Sequence, residues 1–370
     1  MTKRVLIIGA YGNFGSYITK KLAYEQDLQI IISGRSEEKC RAMAGQYKNA
    51  PNPPAWHVLD IGSNFPQALR TVTPDIVIHT SGPFQGQGYD VAKACIAQGC
   101  HYLDLADGRD FVCGIGTLDQ KAKEKNISVI SGASSVPCLT SAIIDHYLPE
   151  FGKITAVDYA ISTAQRTPPG IATTAAILGY AGKPFKTLID GRMQDVYGWQ
   201  SLHSRIYPEL GRRWLGNCDV PDLSLFPQRY KDLRTVRFYA GLEVPAVHIG
   251  LWALSCLARA GLIRRFDKWA GFLRSAGRIF DCFGSRNSAF HMEISGTGKD
   301  DALKTEIFQI IARSGDGPFI PCIPSILLTK MLARGELKQR GAFPCMGVIS
   351  LEQYLEGLRG MDIKTVTTKA

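Results

Sequence analysis

The sequence predicts an α/β chain: a doubly wound parallel sheet comes first, and a second α+β domain with a mixed, largely antiparallel sheet follows. Three observations predict it. Over the first 130 residues, short β-branched runs alternate with stretches of helical periodicity, the form taken by parallel strands joined by crossover helices. A glycine-rich turn directly follows the first of those runs. After Gly132 the rhythm changes to longer strand-like runs separated by irregular or helical stretches, as in a mostly antiparallel sheet.

In chain order, strands are expected at 4–8 (RVLII), 28–33 (LQIIIS), 55–59 (AWHVL), 75–80 (DIVIHT), 101–105 (HYLDL) and 127–131 (ISVIS), with helices such as 14–24 and 88–98 between them. Six strands complete one doubly wound domain, placed at 1–132. The second domain, 133–322, carries strands expected at 154–163, 231–240, 288–296 and 305–313. The run IPSILLTKMLARG at 323–335 has helical apolar spacing and ends on glycine, so 323–370 is expected to be a helical segment returning to the first domain. A length of 370 residues agrees with two separate cores.

Apolar content of 45% and charged content of 21% are those of a folded globular chain, not a disordered one. The formal charge of +10 favours anionic partners. Ten scattered cysteines form no C-x-x-C pair and no cluster with histidine at metal-ligand spacing. Buried thiols in a cytoplasmic protein are therefore expected, with no metal site. The first strand-like run starts within four residues of Met1, which leaves no room for a signal peptide. The longest uncharged apolar run, 244–258, is shorter than the roughly 20 residues that span a bilayer.

The glycine-rich turn reads GAYGNFG, with Gly9, Gly12 and Gly15 between a predicted strand and a predicted helix. That context turns a weak motif into the Rossmann-type phosphate loop of a dinucleotide site, with Tyr11, Asn13 and Phe14 on the same loop. Twenty residues past Gly15, where a carboxylate would hold the free ribose 2′-hydroxyl of NAD, the sequence places Arg35 in SGRS. A planar, permanently charged fork suits a 2′-phosphate, so the expected cofactor is NADP(H). Ser33, Gly34 and Ser36 flank that arginine, and Lys39 follows one helical turn later. The alternative is that Arg35 only opens a solvated helix.

Asp60 and Ile61 close the third strand and are placed beside the adenine. Thr80, Ser81, Gly82 and Pro83, in HTSGPFQGQG after the fourth strand, fall where the strand order of such a sheet reverses and the nicotinamide half lies. Gln85 on the same loop is a candidate substrate contact. After the fifth strand, HYLDLADGRDF sets Tyr102, Asp104, Asp107 and Asp110 at the ligand-binding edge. Tyr102, Asp104 and Asp107 are the candidate catalytic groups for orienting a substrate or relaying a proton. Helix capping is the other reading of Asp107 and Asp110. Tyr17 and Lys21 form Y-x-x-x-K, but on the phosphate-loop helix, away from the nicotinamide.

GAYGNFGSYITKKL, SGRS, SGPFQGQGYDVAKACIAQGCHYLDLADGRDF and SGASSVPCLTSAIID together resemble the saccharopine dehydrogenase-like oxidoreductases. The resemblance continues through RTPPGIATTAAIL, PDLSLFPQRY and GPFIPCIPSILLTKMLARGELKQRGAFPCMG. It is closest to the bacterial branch of that family, not to its enzymes of lysine metabolism. It implies an NADP-binding first domain, a second domain that often carries a dimer contact, and a C-terminal helix returning to the first. By the same match, Gly9, Gly12 and Gly15 hold the pyrophosphate, Ser33, Gly34 and Arg35 the 2′-phosphate, and Thr80, Ser81 and Gly82 the nicotinamide side. Asp104 falls near the amino-acid substrate. The guanidinium groups that grip that substrate have no match here, and Arg166 and Arg229 are candidates by charge alone. A related branch contains trans-acting enoyl reductases of lipid synthesis.

Residues 262–280, LIRRFDKWAGFLRSAGRIF, set Leu262, Phe266, Trp269, Phe272, Leu273, Ala276, Ile279 and Phe280 at helical spacing, with Arg264, Arg265, Lys268, Arg274 and Arg278 largely opposite. Such a helix can lie on an anionic membrane at the inner face of a cell, or pack on its own domain or a partner copy. Three function classes follow. One is an NADP(H)-dependent oxidoreductase acting on a small imine, amino acid or carbonyl compound. The second is a membrane-held enoyl-lipid reductase, and the third an NADPH-binding protein without turnover. A homodimer is the expected assembly, and no nucleic-acid-reading module is present beyond bulk charge.

Overall fold

The computed structural model describes residues 2–63, 65–167, 170–263 and 266–369. It divides into two compact units, Met1–Leu139 with Phe319–Ile349, and Thr140–Pro318 with Ser350–Ala370. Pro168, Pro169, Arg264 and Arg265, on which parts of the sequence reading fell, lie outside the described residues.

The first unit opens with β1 (Lys3–Ile8), α1 (Asn13–Leu22), β2 (Leu28–Gly34), α2 (Glu37–Gly45), β3 (Ala55–Val58) and α3 (Phe65–Val72). It continues with β4 (Ile76–His79), α4 (Asp90–Gln98), β5 (His101–Asp104), α5 (Arg109–Gly114), α6 (Asp119–Glu124) and β6 (Ser128–Ser131). β4 and β6 are buried at every residue, and β1 from Val5 onward. That burial is why Val5–Ile8, Ile76–Ile78 and Val129–Ile130 are consecutive apolar residues instead of alternations.

The second unit contains α7 (Thr140–Tyr147), β7 (Phe151–Thr163), α8 (Ile171–Tyr180), β8 (Pro184–Ile189), β9 (Arg192–Tyr197), β10 (His203–Tyr207) and β11 (Gly211–Asn217). Then come α9 (Asp222–Arg229), β12 (Thr235–Leu242), α10 (Pro245–Arg259), α11 (Ala270–Gly277), β13 (Ser288–Gly298) and β14 (Leu303–Ala312). The chain returns to the first unit for α12 (Ile323–Ala333) and β15 (Gly341–Pro344), and ends in the second with α13 (Leu351–Gly357) and β16 (Ile363–Lys369).

The first sheet runs β15-β6-β5-β4-β1-β2-β3, and all of its pairs are parallel. The strand order reverses between β1 and β4, the doubly wound pattern whose ligand crevice opens at that point. The second sheet runs β10-β11-β12-β7-β13-β14-β16. Its one parallel pair is β7 with β12, and the others are antiparallel.

Three expectations differ from this arrangement. The unit boundaries fall at 139/140 and 318/319, where the sequence predicted 132 and 322. The segment 323–370 is not one helical return: 319–349 supplies a helix and a seventh parallel strand to the first unit, whereas β16 pairs with β14 in the second. Residues 262–280 do not form one continuous helix either. A 3₁₀ turn (Phe266–Trp269), α11 and a further 3₁₀ stretch (Arg278–Phe283) follow one another, and Gly271 and Gly277 fall in and at the end of the α-helical part, where glycine is costly.

Candidate functional site

The site is built at the reversal point of the first sheet. β1 ends at Ile8, and Gly9 turns the chain with φ +77°, a conformation that side-chain-bearing residues rarely adopt. A Cβ on Gly9 would also lie 2.6 Å from Ser81 Oγ and 2.8 Å from Thr80 Oγ1, so the two loops approach as closely as a bare glycine allows. Gly12 N–H donates to Gly9 O (2.9 Å) and Gly12 forms the N-cap of α1. A Cβ on Gly15 would overlap Gly9 O and Ala10, which seats the first turn of α1 against the end of β1. No side chain caps α1 and its first turn carries no acidic residue, so its positive end is open to an anion. Tyr17 stacks on Phe319 at 4.5 Å, and Lys21 Nζ lies 5.5 Å from the Tyr17 ring centre.

Ser33 is fully buried, and its hydroxyl donates to Ile7 O at 2.9 Å. Its carbonyl accepts from Gly9 N and Ala10 N. Expected as a phosphate contact, Ser33 instead pins the glycine turn to β2. Gly34 has no Cβ to obstruct the Tyr11 ring lying against it, and Tyr11 Oη accepts from Ser36 N at 3.1 Å. Lys39 Nζ sits 5.7 Å from the Tyr11 ring centre, and Ser36 Oγ caps α2 by accepting from Lys39 N. Arg35 emerges between them, exposed, with no carboxylate partner among the described residues. Asp60 is exposed and closes a short turn by accepting from Gly62 N at 3.0 Å. Ile61 packs on the core of the unit. Asn13 is exposed and Phe14 half-buried.

Across the reversal point, Thr80 Oγ1 donates to Ile8 O at 2.8 Å, which joins the β4 loop to the β1 turn. Ser81 and Gly82 are half-buried, Pro83 is exposed, and the Gly82–Pro83 peptide is cis. Gln87, which the sequence reading passed over, fixes this loop: its amide donates to Ser81 O (3.0 Å) and Pro83 O (2.7 Å). Gln85 is exposed and donates to Asp107 Oδ1 at 3.2 Å. Asp107 is half-buried, and burial pushes its carboxyl above the ordinary carboxylate value, against the Gln85 hydrogen bond.

Of the three groups expected to act in catalysis, Asp107 alone reaches the surface. Tyr102 and Asp104 are both 0% exposed. Asp104 Oδ1 accepts from Ala106 N, Ser131 Oγ and Gly132 N, each at 2.9 Å. It therefore ties the ends of β5 and β6 together. Burial raises it to about 6. Tyr102 Oη lies 3.1 Å from Nδ1 of His79, a buried histidine lowered to about 4 by burial. A histidine at the end of the apolar strand IVIH was the signal available for this network. Asp110 is exposed at the start of α5.

Arg166 and Arg229 belong to the second unit. Arg166 Nε donates to Asp281 O at 2.8 Å. Arg229 pairs with Asp145 at 2.7 Å, so it is already neutralised.

Residues 5–131 match the family model described as saccharopine dehydrogenase NADP binding domain. Over those residues, about a third of the chain, the first domain is similar to that family. Over 202 residues the chain is 25% identical to the mouse saccharopine dehydrogenase-like oxidoreductase, covering 48% of this chain and 46% of the mouse protein. Over 139 residues it is 27% identical to the trans-acting enoyl reductase of Mycobacterium leprae, covering 36% of this chain and 33% of that one. The chain thus spans about half the length of the mouse relative and a third of the mycobacterial one. The solved structure of apo saccharopine dehydrogenase (L-Glu forming) from Saccharomyces cerevisiae superposes with a TM-score of 0.68 at 13% identity, covering 99% of this chain and 100% of that one. The two share a fold.

NADP(H) is the cofactor of this domain family, and the residues present fit it. In this first domain, the glycine turn and uncapped α1 offer backbone N–H groups to a pyrophosphate. Arg35, Ser36 and Lys39 offer a guanidinium, a hydroxyl and an ammonium at the end of β2, where NAD-specific domains place a carboxylate.

Proposed function

We propose that this chain is an NADP(H)-dependent oxidoreductase that transfers hydride to or from a small imine, amino acid or carbonyl compound. The observation that carries the reading is the corner at Arg35: an exposed cation with no carboxylate partner among the described residues, next to Ser36 and one helical turn before Lys39, at the end of β2 where a ribose 2′-phosphate would lie. Bound NADP(H) supplies or accepts the hydride. The chain orients it and handles the proton. Asp107, half-buried, raised by burial and held by Gln85 at the carboxyl edge of the sheet, is the group proposed to relay that proton. A second reading, reduction of an enoyl lipid, is supported by the mycobacterial relative's name and differs only in the substrate.

The test is a fluorescence titration with NADPH and NADH of the wild type and Arg35→Asp. NADPH is expected to bind more tightly to the wild type, and the variant to lose about 10- to 100-fold in NADPH affinity, as when one charge-assisted contact to phosphate is removed. Asp107→Asn is expected to keep NADPH affinity while turnover of imines, carbonyls or enoyl lipids falls by about a hundredfold or more. Binding of neither nucleotide sinks the oxidoreductase reading. Binding without turnover on the whole panel leaves an NADPH-binding protein.

A further inference from the structure

We propose that α10 and the helical run 266–283 form a docking surface for an anionic phospholipid bilayer. The surface lies wholly within the second unit and is independent of the oxidoreductase reading, so the two fail separately.

Helix α10 is apolar on both sides: Leu251, Trp252, Leu254 and Ala258 pack on the core of the unit, yet much of its outer face is apolar too. A helix on a protein surface ordinarily turns its apolar stripe inward and its polar stripe to water. In α10 the fully buried residues are His248 and Ser255, both 0% exposed, and the exposed positions are Pro245, Ala246, Ile249, Gly250, Ala253 and Leu257, with Arg259 at the helix end. His248 Nδ1 accepts from Leu242 N and Ser255 Oγ bonds Trp252 O, so the polar groups are spent inside. The exposed face is left apolar.

The run that follows repeats the pattern. Phe266 and Ala270 are buried with Trp199 and Leu178, which anchors the run from beneath. Phe272, Ile279 and Phe283 stand 68%, 75% and 76% exposed, and Trp269 43%. Of the fourteen exposed large apolar side chains among the described residues, seven fall between Ile249 and Phe283. An apolar concentration of this kind marks an interaction surface.

Charge selects the occupant. The stretch 244–286 carries seven arginines and lysines against two aspartates, which is 7 − 2 = +5, half of the chain's formal +10. A second copy docking through the same patch would make an isologous contact and bring those cations against themselves. Anionic headgroups neutralise them, and each basic residue near such a surface strengthens binding about fivefold. No helix among the described residues is long and apolar enough to cross a membrane. The geometry is that of helices lying in the interface, apolar side chains down and cations at the headgroups.

The experiment is flotation of the full chain with vesicles of mixed phosphatidylcholine and phosphatidylglycerol, against vesicles of phosphatidylcholine alone. The chain is expected to float with the mixed vesicles, with a blue shift of its tryptophan fluorescence, and to be released by high salt. The triple variant Phe272→Ser, Ile279→Ser, Phe283→Ser is expected to bind at least about a hundredfold more weakly. The control Ile206→Ser, Leu303→Ser, at positions 67% and 93% exposed elsewhere in the unit, should bind as wild type. Should the triple variant not fold, Lys268→Glu with Arg278→Glu, both at exposed positions, serves in its place with the same expected loss. Failure to float with anionic vesicles overturns the proposal, as does flotation that neither variant weakens. Concentration-dependent dimerisation that the triple variant abolishes, without vesicle binding, also overturns it and assigns the patch to a second copy.

Discussion

His79, Tyr102 and Asp104 put two opposed titrations inside one strand pair. His79 and Asp104 are register partners on β4 and β5. His79 is lowered to about 4 by burial, so the unfolded chain binds more protons between that value and its ordinary 6.5, and this contribution to stability is lost as pH falls through that window. Asp104 is raised to about 6 by burial, despite its hydrogen bonds. The native state then binds more protons between the ordinary 3.8 and 6, and its contribution falls as pH rises. Between pH 7 and 5 each effect is about 1 to 2 kcal/mol, and they oppose each other. Urea unfolding at both pH values should show the largest loss on acidification for Asp104→Asn, less for wild type and least for His79→Asn. Equal losses in all three would mean that the pair does not titrate as its burial demands. The residues Gly9, Gly12, Gly15 and Arg35 were legible in the sequence, because a loop between strand and helix exposes them wherever the rest of the chain goes. Ser33, Tyr102 and Asp104, expected at a ligand, are buried and bonded to neighbouring strands. Whether a polar side chain at a strand end faces a ligand or a neighbouring strand depends on what covers it.

Among the elements, the end of the second sheet is held by Glu243, which follows β12. Its carboxylate accepts from Gln165 N after β7 (2.8 Å), Ser285 N (2.8 Å) and Ser285 Oγ (2.6 Å) before β13, and Arg213 on β11 (3.0 Å). Burial pushes Glu243 upward, but these bonds hold it below its ordinary value. Arg213 is 4% exposed, so removing the charge opposite it leaves a cation without compensation. Glu243→Gln is expected to lower the unfolding free energy by about 3 kcal/mol in urea denaturation, and pairing it with Arg213→Met should recover part of that loss. A change within experimental error would show the pair to be dispensable. The strands it joins illustrate what periodicity conveys. The inner parallel strands of the first domain, β1, β2, β4, β5 and β6, were readable as apolar runs because they are buried, as strands covered on both faces are. β9, with its first four residues exposed, and β16, with five of its seven exposed, gave no such signal. Their identity as strands comes from β8 and β14 beside them.

For the whole molecule, the chain enters each unit twice. α12, with Ile323, Ile326, Leu328 and Leu332 buried, packs beside α1 and over β4 and β5. Lys330 and Arg334 pair with Glu25 just after α1. A chain lacking 319–370 loses that cover and the seventh strand, and is expected to lose NADPH binding. A chain lacking only 350–370 loses β16 and should keep it. The nucleotide titration distinguishes the two, and equal binding by both would show that α12 is not needed to hold the β1 and β4 loops. The sequence by itself determined the alternation of the first domain, the phosphate turn and the cation at its ribose end, because each follows from local pattern and from residue chemistry at fixed spacing. Tertiary structure alone decided which groups at the sheet edge meet solvent, how the last 50 residues divide between the units, and that α10 leaves Ile249 and Leu257 exposed while Leu251, Trp252 and Leu254 pack inward. Those depend on contacts between segments far apart in the chain, and a side chain's exposure belongs to its neighbours as much as to itself.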